Sequence, residues 1–243
     1  MTEYDDDEID ITLRPAGELM GRLSLLLSTS RRISFEDQAA EATEDDTYAL
    51  ETDRFELFEW VRKTIPRIPT VGELVHLQTP IGRLSDDLVD QHSTDAEAAL
   101  ALGWILGLVP HLTFDLPATS ETELLEELAP KPWDRLDKLA KRLRIKDEAE
   151  VWAERDKWYL VFLRELVDES ERPEEFLADI VADAAEVGFP IRDGDLLVGK
   201  VPFSRLDSDF RMVLTGTAEA YVKALTWACG LGETWDEVPI DDI

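Results

Sequence analysis

Apolar residues return every three or four positions along most of this chain, the period of an amphipathic helix. After Pro15, a good opening residue for a helix, Leu19, Leu23, Leu26 and Leu27 follow that spacing. Phe55, Phe58, Val61 and Ile65 mark a second helix, ended by Pro66. The polar stretch between them, Glu36 to Thr52, reads as a loop or as a short helix with a loop. Prolines crowd RIPTVGELVHLQTPIGRLSDD, leaving room for a short helix over Val71 to Leu77 with irregular structure around it.

The clearest pattern begins at Thr94. TDAE has the order of a capping box, in which Thr94 accepts from the N–H of Glu97 and Glu97 reaches back. AALALGWILGLV follows, apolar almost all the way round, so this helix is expected to be buried on most sides until Pro110 stops it. SETE from Ser120 repeats the box ahead of Leu124, Leu125 and Leu128, and Pro132 opens a helix carrying Trp133, Leu136, Leu139 and Leu143. Glu148 to Val167 predicts a long helix with a broad aromatic face, including Trp152, Trp158, Tyr159 and Phe162. Pro173 starts the next, with Gly188 as its C′ residue.

The rhythm then breaks. FPIRDGDLLVGKVPF sets glycines and prolines around a short apolar run, the signature of a small hairpin about Asp193-Gly194. A last long helix is predicted from Ser208 to Cys229, ending at Gly230. The fold class is therefore mainly α: a compact multi-helix domain over 13–243 with one extended or hairpin excursion near 190–203. The acidic start, 1–12, is expected to be mobile.

Charge changes the picture of partners. The 243 residues hold 25 basic and 54 acidic side chains, a formal charge of −29. Binding to a phosphate backbone gains from basic side chains that release counterions, so nucleic acid is an unsuitable partner, and so is an anionic membrane. A basic protein is the natural one. The same charge also serves solubility and would suit a salt-rich cytosol, where ions screen the repulsion. The sole cysteine, Cys229, allows no internal disulfide. MTEYDDDEID lacks the basic and apolar regions of a signal peptide, and the apolar run Ala98 to Val109 is shorter than the roughly 20 residues of a membrane span. A cytoplasmic protein is expected.

Candidate chemistry is sparse. His76, His92 and His111 show no helical metal-site spacing, and each is expected to play a structural or solvent-facing part. Cys229, near a helix C-terminus, reads as buried and inert. There is no Gly-rich phosphate loop and no Gly-x-Ser-x-Gly elbow. Asp5 to Asp7, Asp193 with Asp195, and Asp236 to Asp242 are carboxylate groupings without the ligand order of a calcium loop, and a solvated acidic face is the simpler reading. Six of the seven tryptophans fall inside predicted helices among leucines and suit a core; Trp235 alone lies in an irregular tail.

Some of these segments resemble the domain of unknown function 4272 family. AEAALALGWILGLV is similar to its alanine-rich helix ending in an L-W-A-L-G-L type motif. DGDLLVGKVPFSRLDSDF, KALTWACG and WDEVPIDDI are similar to its closing signature. There an acidic-glycine turn and a G-K-P-F-like loop precede a helix ending in A-L-N-W, followed by a W-D-D-V-x-T-D-T tail. The matching residues are Asp193 to Phe203, Ala224, Leu225, Trp227, Trp235, Asp236, Val238 and Asp241. The helix of Trp158 and Arg164 falls where the family has one ending in W-A-x-R. The resemblance runs from about Leu19 to the C-terminus, weakest before Thr94 and best after Asp193. It departs where the family often has E-R-H-R, here AYVK; at Thr226 in place of asparagine; and at VFLR for W-A-x-R. The family has no assigned activity, so the resemblance implies a mainly helical fold and no reaction.

The tail then reads as a clasp in preference to a binding site. Gly230 and Gly232 let the chain turn back, Trp235 and Val238 pack beside Trp227, Asp236 caps backbone N–H groups, and 231–243 lies against the helical body. In function, the sequence points to a non-catalytic protein-binding module without a cofactor, of inhibitor or immunity type. The alternative is a divalent-metal-dependent enzyme with a carboxylate site near Asp193, Asp195 and Asp236.

Overall fold

The computed structural model of the chain describes residues 12–114, 119–129, 131, 135–136, 143–167 and 170–240. The acidic start before Thr12, the final Asp241 and Asp242, and all but Leu136 and Leu143 of the apolar positions expected after Pro132 lie outside the described residues. The architecture is mainly helical. Helix α1 spans Ala16–Ala40, α2 Glu44–Thr64, α3 Val71–Gln78, α4 Asp86–Gln91, α5 Asp95–Ile105 and α6 Thr119–Leu128. After α7, Glu148–Leu166, and α8, Pro173–Glu186, come strands β1 Ile191–Arg192, β2 Asp195–Val198 and β3 Val201–Pro202, then α9, Ser208–Ala228.

Helix α5 lies at the centre because it has no polar face to show to water. Every residue from Ala98 to Leu106 is buried. Helices α1 and α9 pack on it, and α7 packs along α9. There the fully buried Trp158 meets Phe114 at 4.4 Å and Tyr221 edge-on at 4.6 Å, while its indole N–H donates to Glu154 at 3.1 Å. A second apolar cluster joins Leu25 and Phe35 of α1 to Leu57, Trp60 and Val61 of α2 and Leu77 of α3.

Five local expectations need correction. The polar stretch Glu36 to Thr52 is almost wholly helical. Helix α1 continues through Ala40, and Thr43 restarts the chain by accepting from Asp46 N–H at 3.3 Å. Helix α2 is also rotated from its apparent stripe, since it buries Arg54, Leu57, Trp60 and Val61 and leaves Phe55 54 % exposed. The physical reason is Arg54, whose guanidinium donates to the carbonyls of Leu77 and Gln78, both at 3.0 Å, and so caps the end of α3. Thr94 makes no side-chain cap, because α4 ends only just before it and leaves its backbone near-helical, at φ −104° and ψ 12°. Ser120 sits inside α6 and does not precede it. Helix α5 stops at Ile105 and not at Pro110. Gly107, at φ +71°, turns the chain, and a Cβ there would lie 2.5 Å from the Arg144 carbonyl oxygen.

The excursion is a three-stranded antiparallel sheet in the order β1-β2-β3. Asp193 and Gly194, at φ 57° and 76°, make the two-residue turn between β1 and β2.

Candidate functional site

The most unusual chemistry of the described residues is a buried polar centre between α1, α3 and the start of α5. Each member occupies a position that helix geometry turns inward. Arg22 and Thr29 lie on the same side of α1 as Leu19 and Leu26, where the apolar stripe should continue. Arg22 pairs with Glu73 of α3 and donates to the Ile68 carbonyl at 2.9 Å. Glu73 in turn takes the Thr70 N–H at 2.7 Å, so one carboxylate caps α3 and neutralises α1's arginine. Both charged groups are buried, 2 % exposed each, and neither could lose its partner cheaply.

Asp95 is the second focus. It accepts the Thr29 hydroxyl and lies 2.8 Å from His92 Nδ1. A carboxylate only accepts, which places a ring hydrogen on Nδ1, and in the neutral ring Nε2 is then the lone pair. His76 stacks at 4.3 Å between ring centroids, and its Nε2 faces the Thr29 carbonyl at 3.1 Å. Burial, reinforced by the neighbouring His92, pushes the His76 pKa down to about 4. His92 Nε2 and His76 Nδ1 are buried without a hydrogen-bond partner.

The C-terminal segment closes over this centre. Trp235 is 5 % exposed, with its ring edge-on to Trp227 at 5.7 Å. The Arg22 guanidinium stands 4.8 Å above Trp235, and the Lys223 ammonium lies 5.1 Å from the same ring. Arg14 ties the turn from the other end of the chain: its N–H reaches Ala228 O at 2.8 Å, and its side chain donates to Trp227 O at 2.7 Å and to Gly232 O. Gly232 has φ +80°, and a Cβ there would stand 3.0 Å from Glu237 O. Val238 is 9 % exposed. Glu237, not Asp236, makes the turn's hydrogen bonds, accepting from Thr234 N–H at 3.2 Å and from its hydroxyl at 3.0 Å. Beneath Trp235 remains a cavity of about 60 Å³, bordered by Glu73, Gln91, His92, Asp95, Lys223 and Asp236.

The carboxylates singled out in the sequence are separated by other tasks. Asp195 is buried against Arg164, at 2.6 and 3.2 Å, and accepts from Ser204 N–H at 2.8 Å. Burial alone would raise its pKa, but the bonds from Arg164 and Ser204 outweigh that and hold it below the usual carboxylate range. Asp193 sits in the hairpin turn and pairs with Arg205 at 3.0 Å. Asp236 stands at the mouth of the cavity. Among the described residues no group of three or more His, Cys, Asp or Glu side chains is placed to hold a metal ion. Cys229 is buried, and burial pushes its thiol up to about 12. His111 is exposed, 3.5 Å from Glu121.

Sequence reasoning missed the joining of His76 and His92. The available signals were the interruption of the α1 stripe by Arg22 and the three-residue spacing of His92 and Asp95. A larger groove of about 540 Å³ runs beside α1 and α6, but Ser24 and Ser28 on its wall donate to their own helix at 2.7 Å.

The outer face of α2 is a different kind of surface. Tyr48 and Phe55, seven residues and two turns apart, are 78 % and 54 % exposed. Glu44, Asp45, Glu51 and Glu59 flank them on the same side of the helix, Glu51 paired with Arg54 and Glu59 with Arg62 and Lys63. Among the described residues no helix is long and apolar enough to cross a membrane. No family model matches the chain, and neither a curated protein nor a solved structure matches it.

Proposed function

We propose that this chain is a non-catalytic interaction module that binds a basic protein through the outer face of α2. The observation that carries the reading is the pair Tyr48 and Phe55, held in water on a helix whose first turn carries Glu44, Asp45 and Asp46. Aromatic side chains are effective anchors at interfaces, and an excess of acidic side chains beside them favours a basic partner. A net charge of −29 steers such a partner over long range and repels acidic competitors. An inhibitor held on a basic target is one form this takes. The reading also takes the chain to work in the cytoplasm, where the single thiol stays reduced. The alternative is a divalent-metal enzyme around Asp193, Asp195 and Asp236; Arg205 and Arg164 pair with the first two of these.

The test is capture from a lysate of the source cell by the full chain and by a Tyr48→Ala/Phe55→Ala variant. A partner of basic composition should be retained at about 0.1 M salt, weakened at about 1 M, and lost with the variant. Capture that ignores the two aromatics, or an acidic partner, would sink the reading.

A further inference from the structure

The cavity beneath Trp235 is built from other residues than the α2 face and has a chemistry of its own. Its buried lining includes two carboxylates beside the indole of Trp235 and the apolar Ala98 and Ala220. Glu73 takes hydrogens from Arg22 and Thr70, and Asp95 takes them from Thr29 and His92. Of the lining's side-chain donors, Gln91, Thr94 and Lys223 are less buried than the indole N–H of Trp235.

His92 is the telling residue. It is 4 % exposed, it lines the cavity, and its Nε2 has no hydrogen-bond partner. In the neutral ring, with its hydrogen held towards Asp95, Nε2 offers a lone pair. A buried acceptor left in this state is unfavourable, and a group that donates to it relieves the cost.

Charge and size narrow the choice. Arg22 balances Glu73. Asp95 has a hydroxyl and an imidazole for partners, Asp236 adds a second carboxylate at the mouth, and the lining sets one ammonium, Lys223, against the two. A cation is therefore favoured over an anion, and the −29 charge of the chain acts in the same direction. About 60 Å³ admits a head-group of a few heavy atoms.

We propose that this cavity binds a small alkylammonium group, with one N–H donated to His92 Nε2 and the charge set against Asp95 and Asp236.

The test uses the full chain with isotope-labelled histidine rings, followed by nuclear magnetic resonance. The probe is methylammonium chloride, with potassium chloride and sodium acetate as controls at matched ionic strength. Methylammonium should move the His92 Nε2 resonance saturably, and neither control should do so. Asp236→Asn should weaken binding about threefold, and Lys223→Met should tighten it about threefold. Neither substitution removes a buried side chain, so both variants keep the fold. No saturable movement, an equal response to potassium chloride, or unchanged affinity in both variants overturns the proposal. A response to acetate that Lys223→Met abolishes also overturns it, since the cavity would then be an anion site.

Discussion

The guanidinium of Arg22 lies 4.8 Å over the ring of Trp235 while it pairs with Glu73 of α3. One side chain of α1 thus joins the C-terminal turn to the buried polar centre. Trp235 fills space between Trp227, Arg22 and Lys223, and its loss would open a cavity over buried charges. Trp235→Ala should cost about 3–5 kcal/mol, the range for large aromatic truncations in cores. Truncation after Gly232 should cost at least as much, because it also removes Val238. Urea melts measure both; a Trp235→Ala midpoint equal to the parent's would show that the tail does not act as a clasp.

His76 makes stability depend on pH. Its folded pKa is about 4, below the ordinary value of 6.5, so between those values the unfolded chain binds the proton and the folded chain does not. The contribution of His76 is complete above pH 6.5 and declines as pH falls towards 4. The full effect is about 3 kcal/mol. His76→Gln, which keeps a donor for the Thr29 carbonyl, should flatten the stability profile in that window. Parallel profiles for variant and parent would count against it.

Asp195 and Arg164 are a buried pair whose members cannot be removed singly. Asp195→Asn leaves the guanidinium without a counter-charge and should cost about 3–5 kcal/mol. Because its folded pKa is depressed, Asp195 contributes stability above the ordinary carboxylate range, and this is lost only as pH falls through the lowered value. Replacing both partners, as Asp195→Leu with Arg164→Met, should cost less than either single change. Chemical denaturation of the three variants gives the comparison, and strictly additive costs would remove the claim.

Salt should stabilise the fold. Ions shorten the reach of charge repulsion from about 10 Å at 0.1 M to about 3 Å at 1 M. With 54 carboxylates against 25 basic side chains, the melting temperature is expected to rise between those two concentrations of potassium chloride. A flat or falling trend would set salt adaptation aside and favour an acidic surface kept for a partner.

Local chemistry made much of the fold legible. The spans of α7, α8 and α9 follow from apolar spacing together with Pro173 and Gly188, and the hairpin turn follows from Asp193-Gly194. These signals sit within a few residues of the structure they specify. The all-round apolar character of Ala98 to Val109 likewise implies a central helix, because such a segment has no face to offer water.

What only the tertiary structure decided involves residues distant in sequence. Phe55 reads as a core residue until Arg54 is seen capping α3, which fixes the rotation of α2. Asp195 reads as a free acid until Arg164 is found beside it. The polar centre draws Arg22 and Thr29 from α1, Glu73 and His76 from α3, and His92 and Asp95 from the entry to α5. No spacing rule links those three stretches. Their meeting is set by how helices pack, and burial then dictates which hydrogen bond, charge state and empty lone pair each side chain is left with.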